Sequence, residues 1–264
     1  MSRKFHLAQL ASAVPNGFPV DSSWLSARGI SRQSVAGWVA SGWLQRIARG
    51  LFVRPSRSQP GNPIPWETAV AAMTDIMGYP VHVGGLSALA VHGRNHYIML
   101  GRERIDLYGT PPKWSALPCF DADFVEVSKS LFPAGFEISQ VKWEAGTSYP
   151  ASSPVRAIFE VVEDIPSRKD FDHVDKLFEG MHGLRPSAVA EALHLCASIK
   201  AKRLFAVFAD KHRHQWWKRV DLSGVDFGSG DRQVVKHGRL HPVWRVTIPD
   251  FMMPGYEPSP GEEF

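Results

Sequence analysis

The stretch GISRQSVAGWVASGWLQRIARGLFVRP, Gly29 to Pro55, decides the fold. Ser31 carries the short hydroxyl side chain that favours a helix start, and Val35, Trp38 and Val39 follow at helical spacing. That pattern predicts a helix from Ser31 to about Ser41, with Arg32, Gln33, Ala36 and Ala40 largely outward. Gly42 stops it. Two strand-like runs come next, Trp43–Ile47 and Leu51–Arg54, separated by Ala48-Arg49-Gly50. Such spacing predicts a hairpin in which glycine supplies the left-handed turn position.

Upstream, Phe5, Leu7, Leu10, Ala11 and Val14 recur roughly at helical spacing, and Pro15-Asn16-Gly17 ends that segment. Asp21 or Ser22 can cap a second short helix, Ser23 to Ala27, with Trp24 and Leu25 available for the core. Gly29 closes it and Ile30 can plug the turn. Three helices followed by a two-stranded wing form a winged helix-turn-helix, whose third helix enters the major groove. Ser31, Arg32, Gln33 and Ser34 would stand at the reading end of that helix. Arginine pairs bidentately with guanine and glutamine with adenine, while short hydroxyls reach phosphate or base. Arg46 and Arg49 on the wing would meet phosphate or the minor groove, and Arg28 and Arg54 would help position the domain. Trp38 and Trp43 are both expected in the core. The alternative is a winged helix used for protein contacts.

Charge separates this head from the rest of the chain. Residues 1–57 hold eight Lys and Arg against one acid, a net +7, and residues 58–264 hold 22 against 25, a net −3. A basic head on a mildly acidic body suits a polyanion-binding module carried by a larger domain. The apolar share of 44% and charged share of 21% are those of a soluble globular protein. No apolar run approaches a membrane span, and the start MSRKFHLAQLASAV lacks a long apolar region and a cleavage site. Cys119 and Cys196 are far apart and without metal-ligand spacing, as expected of free thiols in a cytoplasmic protein.

SRSQPGNPIP, Ser56 to Pro65, reads as a linker, which places a DNA-binding domain at 1–57 and a larger domain at 64–250. The larger domain reads as mixed. Pro65-Trp66-Glu67 opens a helix to about Met77, and another lies around Leu86–His92. ERIDLYG (Glu103–Gly109) and DFVEVSK (Asp123–Lys129) alternate like half-buried strands. SSPVRAIFEVVEDIP (Ser152–Pro166) starts with a serine cap and proline, and Pro186–His212 reads as one or two helices. Val234–Ile248 is strand-like, and residues 251–264 read as a disordered tail. The expected class is α+β: an N-terminal winged helix-turn-helix followed by a larger mixed α/β domain.

The segment ARGISRQSVAGWVASGWLQRIARGLFV resembles the N-terminal domain of the AbiEi antitoxins of type IV toxin–antitoxin systems, first known from phage abortive infection. That family's wing pattern, G-x-L-x-R-[IV]-x-[RK]-G-[VLI]-[YF], is met by Gly42, Leu44, Arg46, Ile47, Arg49, Gly50, Leu51 and Phe52. The resemblance continues more weakly through GGLSALAVHG (Gly84–Gly93), SSPVRAIFEVVEDIP and KAKRLFAVFADKHRHQWW (Lys200–Trp217). It implies an autorepressor that binds double-stranded DNA at its own promoter. It also implies a C-terminal region counteracting a nucleotidyltransferase-like toxin encoded nearby.

A second function class is a metal-dependent nuclease delivered by the winged helix. Asp106, Glu126 and Lys129 loosely evoke such a core. Their spacing puts Glu126 and Lys129 on opposite strand faces, and alternating surface charge explains them better. His212 and His214 would diverge on a helix and lack an acidic ligand nearby. GSGDRQ (Gly228–Gln233) lacks the Gly-Lys-Ser/Thr of a phosphate loop and reads as a turn. Neither Ser87 nor Ser153 sits in a nucleophile elbow. No catalytic residue, metal or cofactor is therefore expected. In KHRHQWWKR (Lys211–Arg219), Arg213, Trp216, Trp217 and Lys218 are candidates for a toxin-docking face or a second nucleic-acid surface. Equally, the two tryptophans could be partly core, with the cations a solvated face.

Overall fold

A computed structural model of the chain describes residues 2–56, 62–94 and 101–256. Residues 57–61 of the expected linker and 257–264 of the expected tail lie outside these. The chain forms two compact units, each assembled from separate stretches. The first comprises residues 1–83, 98–129 and 139–151; the second comprises 84–97, 130–138 and 152–264. The boundary expected between 57 and 64 falls inside the first.

The first unit opens with α1 (Ser2–Ala13), which buries Leu10 just before Val14. Strand β1 (Pro19–Asp21) follows and runs directly into α2 (Ser22–Ala27), whose N-cap is Asp21. Its Oδ1 accepts the Trp24 N–H at 2.8 Å, satisfying a donor that the helix cannot. Ser31 caps α3 (Arg32–Ala40) in the same way, its Oγ accepting the Ser34 N–H at 3.1 Å. Strands β2 (Gln45–Ala48) and β3 (Leu51–Val53) then form the antiparallel wing, with a bulge between Arg46 and Ala48. Gly50, at φ 78, takes the left-handed turn position that a side chain would strain.

Two features differ from expectation. The wing sheet has three strands, in order β1-β3-β2, with Pro19 opposite Val53 and Asp21 opposite Leu51. A three-residue strand that begins with proline carries too little alternation to be seen in sequence. Trp43 is not core: it is 44% exposed, while Leu44 is buried. Both residues' N–H groups donate to the Trp38 carbonyl, and of two successive side chains leaving that turn only Leu44 points inward. Trp38 is buried as expected, with Trp24, Leu25, Val35, Leu51 and Phe52.

The same unit contains α4 (Trp66–Ala71), which continues as a π-helical turn, Ala72–Ile76. A five-stranded sheet follows, built from β4 (Val81–Val83), β5 (Glu103–Gly109), β6 (Ala122–Val127), β7 (Ile138–Lys142) and β8 (Ser148–Ser152). Its order is β6-β5-β4-β8-β7, with β5 and β6 parallel from Glu103↔Ala122 to Tyr108↔Val127. Asp21 also reaches this region. Its Oδ2 accepts the Tyr79 hydroxyl at 2.5 Å and the Trp114 indole N–H at 3.0 Å, and the Trp24 indole donates to the Ile76 carbonyl at 2.8 Å. Burial, and then the hydrogen bond to Asp21, push the Tyr79 hydroxyl up to about 12.

The second unit is helical: α5 (Gly85–Val91), α6 (Pro154–Glu163), α7 (Phe171–Glu179), α8 (Pro186–Leu195) and α9 (Ile199–His212). Ser153 caps α6 ahead of Pro154, as the sequence predicts. Stacked rings, Phe159 on Phe205 at 4.3 Å and Phe178 on Phe208 at 4.9 Å, join α6, α7 and α9. Within this core Glu160 and Arg156 pair at 2.8 Å, and Glu160 also accepts the Gly85 N–H and the Ser152 hydroxyl. The strand expected over 234–248 is mostly loop: only β9 (Arg239–Leu240) and β10 (Thr247–Ile248) pair.

Candidate nucleic-acid interface

In the first unit, α2, the start of α3 and the wing enclose a groove of about 700 Å³. Ser31 and Arg32 enter it from the head of α3, and Arg46 and Arg49 from the wing. All four sequence candidates are exposed. Among the described residues, no carboxylate lines the groove. Arg46 lies 5.5 Å from the Phe52 ring centroid, so its guanidinium is held by an aromatic face and keeps its donors open. The arrangement brings three cations from two elements to one concave surface, which suits a polyanion.

The other candidates are placed differently. Gln33 is exposed on α3 beside Arg32 but does not line the groove. The Ser34 hydroxyl lies 3.0 Å from that of Ser31, so both side chains are engaged in capping α3. Arg28 stacks its guanidinium 3.8 Å from the Trp24 ring centroid and is exposed. Arg54 corrects the expectation of a phosphate contact. Its Nη1 donates to the Ala11 and Val14 carbonyls at 2.7 and 2.6 Å, closing the end of α1 where carbonyls lack helical partners. The groove is also lined by Ser22, Ser23 and Ser26, which the sequence reading missed as site residues. Their only sequence signal was the three-residue spacing of Ser23 and Ser26 on a short helix.

The second unit has its own groove, of about 680 Å³, lined by Arg213, Trp217 and Lys218 together with Asp210, Lys211 and His241. Trp216 is not part of it. That side chain is buried and its indole donates to the Met181 carbonyl at 2.6 Å, which corrects its place on a working surface. Trp217 is half-buried, and Asp210 holds both its indole (2.6 Å) and that of Trp244 (2.5 Å). Arg213 and Lys218 are exposed. Lys202 and Arg203, upstream on α9, are buried and donate to backbone carbonyls.

Two buried histidines under this region make the second unit acid-sensitive. His241 Nδ1 accepts the N–H groups of Val243 and Trp244 at 3.3 and 3.1 Å, so a proton there would break both bonds. Burial pushes the His241 and His214 imidazoles below the ordinary value of 6.5. The unfolded chain then takes up protons that the folded chain resists. The stability contributed by these two neutral imidazoles is complete above pH 6.5 and is lost as the pH drops from there toward their folded values. Asp175 does not act in this window: burial would raise its carboxyl, but hydrogen bonds from His212 and Lys211 outweigh it and hold it below 3.8. Urea midpoints should therefore drop between pH 7.5 and 5.5. His241→Asn, which keeps an acceptor for the same two N–H groups, should flatten part of that drop. A midpoint constant over this range would show that neither imidazole is held neutral.

The nuclease arrangement does not assemble. Asp106 is buried on β5 opposite Val125, and Glu126 is exposed one position along β6. No group of three side chains able to hold a metal is gathered among the described residues. Nor is any described helix long and apolar enough to cross a membrane.

Comparison with known proteins agrees with this arrangement of a basic head and a larger body. Residues 3–100 match the model of the AbiEi antitoxin N-terminal domain, a transcriptional regulator. Residues 102–249 match that of the AbiEi antitoxin transcriptional regulator of type IV toxin–antitoxin systems. No curated protein matches the chain. Among solved structures, the RV2827C protein from Mycobacterium tuberculosis is similar at 13% identity and a TM-score of 0.46, over 93% of this chain and 91% of that one. With nearly its whole length matched by two models of one family, the chain belongs to the AbiEi antitoxins, the transcriptional regulators of type IV toxin–antitoxin systems.

Proposed function

We propose that the chain represses its own operon by binding double-stranded promoter DNA through α3 and the wing, and that it works in the cytoplasm as a binding protein without catalysis. The observation carrying this is the groove that gathers Arg32, Arg46 and Arg49, with no carboxylate among the described residues that line it. Arg32 and Gln33 stand exposed at the head of α3, where side chains reach base edges. Arg49 sits at the wing turn and Arg46 beside it, in position for phosphates. Arg28 adds a flanking contact, with Ser31 and Ser34 fixing the helix start. Antitoxicity against a nucleotidyltransferase-like toxin encoded nearby would reside in the second unit, with Arg213, Trp217 and Lys218 as its working groove.

The test is titration of the full chain with its promoter duplex and a scrambled duplex at two salt concentrations. Affinity should fall steeply with salt on both, by about 0.9 in log–log slope per phosphate neutralised. Arg32→Ala and Gln33→Ala should each cost about 1–3 kcal/mol on the promoter alone. Arg49→Ala should weaken both duplexes alike. Equal affinity of the wild-type chain for the two duplexes would refute sequence-specific repression, and base preference moved by Arg49→Ala but not by Arg32→Ala would exchange the roles of helix and wing.

A further inference from the structure

The groove between α2 and the wing has an apolar floor and two polar rims. Leu25, Ile30, Val35 and Phe52 contribute to the floor, and Arg46 and Arg49 form the wing rim. The facing rim is α2, with its three serines. Ser22 is used inside the fold: its N–H and its hydroxyl both donate to the Gly50 carbonyl, at 2.9 and 3.3 Å, and tie α2 to the wing turn. The Ser31 hydroxyl is likewise used, as the cap of α3. Ser23 and Ser26 are exposed, and their hydroxyls have no partner among the described residues. Three residues apart, they share one face of α2.

A free anion has no use for an apolar floor, whereas cations facing hydroxyls suit acceptor oxygens. A deoxyribose–phosphate chain matches both: its sugar offers carbon–hydrogen faces and its phosphate offers acceptor oxygens. We propose that this groove seats the sugar–phosphate backbone of one DNA strand. Ser23 and Ser26 donate to a phosphate whose far side faces Arg46 and Arg49. This rests on the reading of α3 and the wing as a DNA-binding face, and it adds α2 to that face. Because the serine contacts carry no charge and touch no base, they set affinity while leaving both sequence preference and salt dependence alone.

The test uses the full chain on the promoter and scrambled duplexes. The double variant Ser23→Ala/Ser26→Ala replaces exposed helical serines with a better helix former, so the fold should persist, checked by circular dichroism. Affinity should fall about five- to tenfold on both duplexes, as expected for two solvent-exposed hydrogen bonds at the weak end of their usual range, with the salt slope unchanged. Ser26→Lys should raise affinity and steepen the slope by about 0.9, and Ser26→Glu should lower affinity. Unchanged affinity in the double alanine variant overturns the proposal; should that variant unfold, Lys and Glu at position 26 acting in the same direction overturn it. Arg49→Ala separates the two layers. If it still weakens both duplexes while the serine variants are silent, the groove assignment fails and the DNA-binding reading stands. If it is silent too, both fail.

Discussion

Replacing Asp21 with alanine is expected to lower the unfolding free energy by about 3 kcal/mol, from one helix cap and two further hydrogen bonds at about 1 kcal/mol each. The side chain is 4% exposed and accepts from three donors: the Trp24 N–H, the Tyr79 hydroxyl and the Trp114 indole. Alanine removes the acceptor and leaves all three donors behind, which costs more than replacing donor and acceptor together. Urea unfolding should show a lower midpoint at an unchanged slope. Asp21→Asn keeps the cap on its Oδ1, but its amide nitrogen replaces the Oδ2 that accepts from Tyr79 and Trp114, so only about a third of the loss should return. An absorbance titration gives an independent reading, since loss of the Asp21 bond should bring the Tyr79 hydroxyl down from about 12, only partly, because burial is the larger cause. A midpoint within experimental error of wild type would mean that the wing region and the sheet of the first unit do not depend on this carboxylate.

A larger loss, about 3–5 kcal/mol, is expected from Arg203→Ala in the second unit, because four carbonyls lose a charged donor at roughly 1 kcal/mol each. Arg203 is 3% exposed, and its guanidinium serves four carbonyls: Phe227 at 2.7 Å, Gly228 at 3.0 Å, Gly230 at 2.7 Å and Arg245 at 2.8 Å. It is the post around which the 226–232 loop is wound. A lysine at this position retains the charge but offers a point donor in place of a planar fork, so Arg203→Lys should recover little. Hydrogen exchange should report the loss first in residues 226–232, ahead of α9 itself. Wild-type stability in Arg203→Lys would show that charge alone, and not the fork, holds the loop.

The parts of the fold that were legible in the sequence are those whose cause is local. Ser31 and Ser153 cap their helices, Gly50 turns the wing, and ERIDLYG alternates along β5, each within a few residues of its own signal. What stayed hidden depends on partners distant in sequence. β1 is three residues long and exists because β3 pairs with it. Arg54 looks like one more cation of a basic head until the end of α1 lies 40 residues upstream within reach. Trp43 and Leu44 are neighbours of similar hydrophobicity, and only the turn geometry decides which is inside. In the second unit, Trp216 and Trp217 differ in the same way, one buried beneath a carbonyl of residue 181 and one at the rim of a groove. Charge counting sets residues 1–57 apart as basic, yet it cannot tell exposed cations such as Arg46 from those, such as Arg54, that finish the backbone.

The interleaving of the two units along the chain has a consequence at the ribosome. Translation delivers the helices and wing first, but the partners that close on Asp21, Tyr79 and Trp114, follow it by 58 and 93 residues. At about 5–20 residues per second, the carboxylate waits roughly 5–20 s for Trp114 to be synthesised. The sheet of the same unit is not complete until β8, which ends at Ser152. A broken message or a stalled ribosome that stops short of this point yields a head without its supports. Occupancy of an operator, as proposed above, would then begin only with chains extended past Ser152, about a hundred residues beyond the wing itself.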